Sequence, residues 1–222
     1  MANTKQVILL KKSVEDWNEW REKNPEVIPD LQEASLRRAD LNKAQLQEAN
    51  LIDANLRGAT LENADLCRAN LEGADLRGTR LLKANLEEAD LRWATLEGSS
   101  CIRVNFHKAK LKRANFEGAD LYKSNLSETN LSEANLTRAC LVHASLEKAN
   151  LHKSKLHKAV LFGTNLTGAN KLKHNQVNSV QSLDNNTKFP DYLEVKITGE
   201  NKWTCKEIGN ENDKQERERV FG

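Results

Sequence analysis

Residues 39–58 read Ala-Asp-Leu-Asn-Lys-Ala-Gln-Leu-Gln-Glu-Ala-Asn-Leu-Ile-Asp-Ala-Asn-Leu-Arg-Gly, with leucine at 41, 46, 51 and 56 and alanine two places before each. The pattern extends in both directions. Every fifth residue from Leu31 to Leu166 is leucine, with exceptions only at Cys101, Phe106 and Phe116. The small column holds Ala34 through Ala74 without a break, then admits Thr79, Ser99, Val104, Ser124, Thr129, Ser154 and Thr164. No residue is inserted or deleted between Asp30 and Ala169. A period of five fits neither the 3.6 of a helix nor the 2.0 of a strand, so the chain must turn a corner once per repeat, which describes a solenoid.

The unit Ala-(Asp/Asn)-Leu-x-x, as in Ala134-Asn135-Leu136-Thr137-Arg138, resembles the pentapeptide-repeat family over about two-thirds of the chain. The resemblance implies an all-β solenoid: a right-handed quadrilateral β-helix of about seven coils, with four pentapeptides to a coil. At strand spacing the shaft would measure roughly 34 Å. The leucine and the small residue two before it are expected to point inward. The two positions after leucine face solvent, and Asp or Asn before leucine supplies a residue tolerant of tight turns that can bond its own backbone neighbours. Cys101 and Phe106 balance a small centre against a large one, with Val104 at the corner between them.

The ends leave the repeat, as the ends of a solenoid must if its leucine layer is to be covered. Residues 1–29 are expected to form a helical cap of two short helices over 5–23. Val7, Ile8, Leu9 and Leu10 give the first its apolar face. Ser13 caps the second, with Asp16 three places on and Val14, Trp17 and Trp20 on one side. The segment Trp17-Asn18-Glu19-Trp20-Arg21 resembles a leader found on other bacterial, cyanobacterial-like members of the family. The repeat domain spans 30–170. Leu172, Val177, Val180 and Leu183 recur at helical spacing in a second cap, 171–193, and 194–222 is an extended or partly disordered tail, with a weak alternation over 193–208 around Gly199-Glu200-Asn201 that fits a small hairpin.

Composition bounds function. The 222 residues are 30% charged, with mean hydropathy −0.70 and formal net charge +2. No apolar run spans a bilayer, and the N-terminus lacks a secretory pattern, so the expected location is cytoplasmic. Cys67, Cys101, Cys140 and Cys205 form neither a metal motif nor a disulfide framework. The five histidines have no partners at metal-ligand spacing, and no nucleophile or phosphate-binding motif occurs. The chain therefore reads as a non-enzyme without cofactor, metal or small-molecule substrate.

Twenty-residue spacing becomes adjacency once coils stack. Leu82, Ile102, Tyr122, Val142 and Phe162 then form an apolar row on one face, with Val160 beside Phe162, and such a row marks a contact surface. Tyr192, Val195, Ile197 and Trp203 offer an internal cover for it; a partner protein or a second copy is the alternative. A second column, Glu48, Arg68, Glu88, Lys108, Glu128 and Lys148, alternates in charge and reads as structural. A third stacks Arg37, Arg57 and Arg77 beside Gly58, Gly78, Gly98 and Gly118, which makes it a secondary candidate for an anionic partner. Residues 30–99 carry 13 acidic and 9 basic side chains, whereas 100–169 carry 5 acidic and 11 basic.

The expected function is protein interaction through a rigid surface. Some members of the family mimic DNA and bind type II topoisomerases, but that role needs an acidic shaft, and this one holds 20 basic and 18 acidic residues. Direct nucleic-acid binding by the basic half is the further alternative, disfavoured by the scarcity of aromatics among its lysines.

Overall fold

The backbone hydrogen bonds of one repeat account for its sequence. In a computed structural model describing residues 2–199 and 201–208, the N–H of every central leucine but Leu156 donates to the coil above, as Leu31 does to the Asn50 carbonyl at 2.8 Å. The residue before leucine donates to the coil below, as Asn50 does to Pro29 at 2.8 Å. The second residue after leucine donates upward, as Glu33 does to Ile52 at 2.8 Å. The small residue closes a four-residue turn, as Ala34 does onto the Leu31 carbonyl at 3.0 Å. One N–H remains, that of the residue right after leucine, and the preceding Asp or Asn side chain accepts it: Asn55 Oδ1 from Arg57 at 3.2 Å, Asn115 Oδ1 from Glu117 at 3.1 Å. Where Thr95 or Lys110 precedes the central residue instead, the N–H two places on has no partner in the protein among the described residues and lies at the outer position, where water can serve it.

These bonds produce single parallel bridges between residues twenty apart, from Asp30↔Asn50 through Asn150↔Asn170. Four pentapeptides thus make one turn of the shaft, and every central leucine from Leu31 to Leu166 is buried together with the alanine column, of which only Ala39 is partly exposed. The first residue after leucine is mostly half-buried between its neighbours above and below, and the second is mostly exposed. Phe106 and Phe116, half a turn apart, meet edge to face at 5.8 Å across the interior, and the smaller Cys101 is buried on the side next to them. Buried Ser99, Ser124 and Ser154, and Thr79 and Thr129, return their hydroxyls to the carbonyl three residues back.

One expectation needs correction. The left-handed backbone that turns the corner lies on the second residue after leucine and not on Asp or Asn: Glu33, Lys43, Arg68 and Lys123 sit at φ +59°, +61°, +57° and +55°. The turn Leu-x-x-Ala is of type II, which requires positive φ at its third residue. Lysine, arginine and glutamate mostly fill that position, at a cost of about 1–2 kcal/mol each that glycine would avoid.

Helices α1 (Thr4–Lys12) and α2 (Val14–Lys23) lie at the start of the shaft. Ser13 Oγ accepts from the Asp16 N–H at 3.0 Å, but the Asp16 carboxylate pairs with Lys12 and not with the Ser13 N–H, so only half the expected capping box forms. Trp17 is fully buried and stacks at 5.2 Å on half-buried Trp20. Ile8, assigned above to the apolar face of α1, is exposed. The helices replace the missing preceding coil with side chains. Trp17 Nε1 donates to the Gln45 carbonyl at 2.8 Å, Asn18 Oδ1 accepts from the Gln45 N–H at 2.9 Å, and Gln6 Oε1 accepts from the Asp30 N–H at 2.8 Å.

At the other end the register slips. Val160 pairs with Ser182 and Asn165 with Lys188, so residues 171–188 continue two sides of an irregular further turn. Helical spacing there overstates the helix: α3 covers only His174–Val177, although Leu172, Val177, Val180 and Leu183 are all buried. Gln176 Nε2 donates to the Leu151 and Ser154 carbonyls, and Tyr192 Oη donates to Ala169 and accepts from the Leu172 N–H. Strands β1 (Leu193–Gly199) and β2 (Lys202–Glu207) form the antiparallel hairpin, with a register shift between Ile197 and Gly199. The stretch 209–222, expected to be disordered, lies outside the described residues.

Leu86→Asp sets an unpaired charge in the closed interior and is expected to abolish cooperative folding, because burying such a group costs several kcal/mol against a total stability of about 5–15. Arg57→Ala on the outside should melt like the parent. Equal thermal melts for the two variants would show that inside and outside are wrongly assigned.

Candidate functional site

Tyr122 lies at the centre of the face built on Leu81, Cys101, Leu121, Leu141 and Leu161. Each of these buried residues is followed by an outward position, and twenty-residue stacking sets Leu82, Ile102, Tyr122, Val142 and Phe162 one above another. The first four are half-buried, since a side chain there is flanked by its counterparts in adjacent coils; Phe162, at the end, is 38% exposed. Tyr122 meets His143 edge to face at 6.1 Å, and Lys123 Nζ lies 5.1 Å from the Tyr122 ring centre. The row is therefore a fixed apolar strip with cations beside it.

The apolar residues of the C-terminal segment are engaged at the end of the shaft. Tyr192 is spent on Ala169 and Leu172, and Val195, Ile197 and Trp203 pack partly buried against the core. The hairpin shares one groove with Asn178, Val180 and Gln181. It shares a second, of about 540 Å³, with Phe162, Leu183 and Asp184. The row thus runs into a groove at its Phe162 end. Burial alone would raise the Asp184 carboxyl, but bonds from the Gly163 N–H, Thr187 and Asn186 hold it below its usual range.

The other columns carry less. Of the arginine column, Arg77 is bound by the Asp75 carboxylate within its own repeat, so the three stacked arginines do not present three free guanidinium groups. In the alternating column, Arg68 reaches Glu48 at 3.6 Å, whereas Lys148 turns to Glu147. Among the described residues no group of three or more His, Cys, Asp or Glu is placed to hold a metal, and no helix is long and apolar enough to cross a membrane. Burial pushes the Cys101 thiol up to about 12, with Ser99 Oγ at 3.2 Å from its sulfur.

The column reading did not single out Trp93, which is 44% exposed at φ +58° with the Arg92 guanidinium 5.4 Å from its ring. Its signal in the sequence was its position, second after Leu91, where the repeat sends side chains outward; standing alone in its column, it made no row. Arg92 is held in turn by Asp90 and Glu72. Burial alone would raise the pKa of Asp90, but hydrogen bonds from Arg92 and the charges of Arg92 and Lys110 bring it below the usual carboxylate value.

The family model for pentapeptide repeats matches this chain in eight copies, over residues 30–66, 59–98, 99–138 and 129–168. Among solved structures, the chain is similar to HetL, a pentapeptide repeat protein involved in heterocyst differentiation regulation from the cyanobacterium Nostoc sp. strain PCC 7120. That match has 31% identity over 61% of this chain and 77% of that one, with TM-score 0.41. Similarity to the pentapeptide repeat protein Rfr23 of the cyanobacterium Cyanothece 51142 is 26% identity over 56% and 63%, with TM-score 0.36. For QnrB1, a plasmid-mediated fluoroquinolone resistance protein, the figures are 16% over 66% and 89%, with TM-score 0.31. No curated protein matches.

A carboxyl whose pKa is depressed by folding stabilises the fold above its unfolded value, and that contribution is lost as pH falls through the folded one. The melting temperature should therefore drop as pH is lowered from about 5 toward the Asp90 folded pKa. Asp90→Asn, which removes the titration, should melt lower at neutral pH and show a shallower acid decline. Parallel melting curves for parent and variant between neutral and acid pH would remove Asp90 from this account.

Proposed function

The chain belongs to the pentapeptide-repeat family, and we propose that it is a non-catalytic interaction scaffold that binds another protein through the face carrying Leu82, Ile102, Tyr122, Val142 and Phe162. The observation that supports this most is the alignment of these five residues on one side of a shaft whose other outward positions are overwhelmingly polar. Aligned apolar side chains on a rigid surface lose little entropy on docking, and an exposed patch bounded by polar residues is the usual form of a binding surface. The interior is filled by leucine and alanine, so the surface is where this protein acts. A nearly neutral shaft does not carry the charge that imitation of nucleic-acid phosphate requires. Arg37 and Arg57 remain a secondary contact region on a neighbouring face, and the cytoplasm is the compartment that four free thiols suit.

Tyr122→Lys combined with Phe162→Lys tests this reading. Photo-cross-linking to an extract of the source organism, from a benzoylphenylalanine placed at Ile102, should yield a discrete adduct that the double variant loses while its thermal melt is unchanged. The same adduct at equal yield in the double variant would contradict the assignment of this face.

A further inference from the structure

Each member of the apolar row is followed by a residue that is also in register with its counterparts. Lys83, Arg103, Lys123 and His143 stack beside Leu82, Ile102, Tyr122 and Val142, and all four are exposed. Some cations elsewhere on the shaft meet acids, as Arg92 meets Asp90 and Glu72 and Arg113 meets Glu133, while others, Arg57 and Lys108 among them, enter no ion pair among the described residues; what sets this column apart is that it borders the apolar row. Among the described residues, Lys83, Arg103 and Lys123 enter no ion pair. An apolar strip with an unneutralised cationic border on three successive coils has a partner chemistry written into it: apolar side chains edged by carboxylates.

Geometry narrows the shape of that partner. The row runs along the shaft axis, across the strands, so it offers side chains and no free strand edge for pairing. Coils repeat at about 4.8 Å. A turn of α-helix advances 5.4 Å, within about 0.6 Å of that step. Alternate residues of an extended strand advance about 6.8 Å and fall out of phase after one coil. Five row members span about 19 Å, or roughly 13 helical residues. A second copy of this chain fits poorly. Antiparallel docking of the face sets the cation column against itself, and parallel docking brings it against Arg80, Ser100, Asp120 and Cys140, which include one acid.

We propose that this face binds an acidic amphipathic helix of three to four turns, its apolar residues on the row and its Glu or Asp residues against Lys83, Arg103 and Lys123. The inference rests on the reading of the row as a protein-binding face and adds the chemistry of the partner. The groove between Phe162, Leu183 and Ile197 receives an apolar residue at one end of the helix. Lys123, already over the Tyr122 ring, holds an ammonium where a carboxylate can reach it from solvent.

The test is selection of a displayed library of 16-residue helical peptides on the full-length protein. Leucine is fixed at one position per turn, and the flanking positions are randomised among Glu, Gln and Lys. Selected peptides should be enriched in Glu on the flank. They should bind the triple variant Lys83→Glu, Arg103→Glu, Lys123→Glu at least about tenfold more weakly, and weaken with added salt. Enrichment of Lys or Gln, no enrichment at all, or binders indifferent to the triple reversal would overturn the helix proposal. The underlying reading fails separately: a Tyr122→Lys, Phe162→Lys protein that keeps its cross-linked adduct removes the face itself. A lost adduct combined with a negative selection leaves the face standing and the acidic helix refuted.

Discussion

The constraint on which this structure depends is that a five-residue repeat must satisfy five backbone N–H groups without ever forming an extended ladder. Three go to adjacent coils, one closes the turn, and the last goes to the side chain before leucine in the repeats where that residue is Asp or Asn. Leucine is the residue whose N–H faces upward and whose side chain faces inward, so hydrogen bonding and burial are fixed at one position. A shift of one residue in any coil would break both at once. That coupling explains why the repeat tolerates lysine, glutamate or tryptophan at its outer positions and no insertion over 140 residues.

A solenoid built this way has ends that are polar at their edges and apolar in their middle. Here both ends are closed with side chains standing in for backbone. Asn18 and Trp17 bracket Gln45, Gln6 and the Asn3 N–H bracket Asp30, and Gln176 and Tyr192 serve the last carbonyls. The start is closed on two sides of the square. On the other two, Ser35 and Asp40 are exposed, and among the described residues their N–H groups have no partner in the protein. Water serves those groups at no great cost.

The sequence made the shaft legible because its signal is one of spacing, and spacing survives into three dimensions when every coil has the same length. Inward and outward positions and the neighbours in each column could all be written down from residue numbers. The location of the left-handed residue could not, because composition pointed to Asp and Asn while the type II turn placed positive φ on Lys, Glu and Arg. The ends were legible as apolar content and not as shape. Leu172, Val177, Val180 and Leu183 are buried as helical spacing suggests, yet they line an irregular turn paired with Val160 and Asn165. For the surface, the row was legible from its numbers. The cations beside it acquire meaning from their position along the row, where Lys83, Arg103 and Lys123 are exposed and enter no ion pair among the described residues.

Capping by side chains is a claim about individual amides at the first coil, and hydrogen exchange measures it directly. The amides of Asp30 and Gln45, bonded to Gln6 and Asn18, should exchange slowly, near the rate of mid-shaft leucines such as Leu86. Those of Ser35 and Asp40, in the same coil, should exchange faster by orders of magnitude. Asn18→Ala should release Gln45 and leave Asp30 protected. Uniform protection around the first coil, or rapid exchange at Gln45 in the parent protein, would contradict the account.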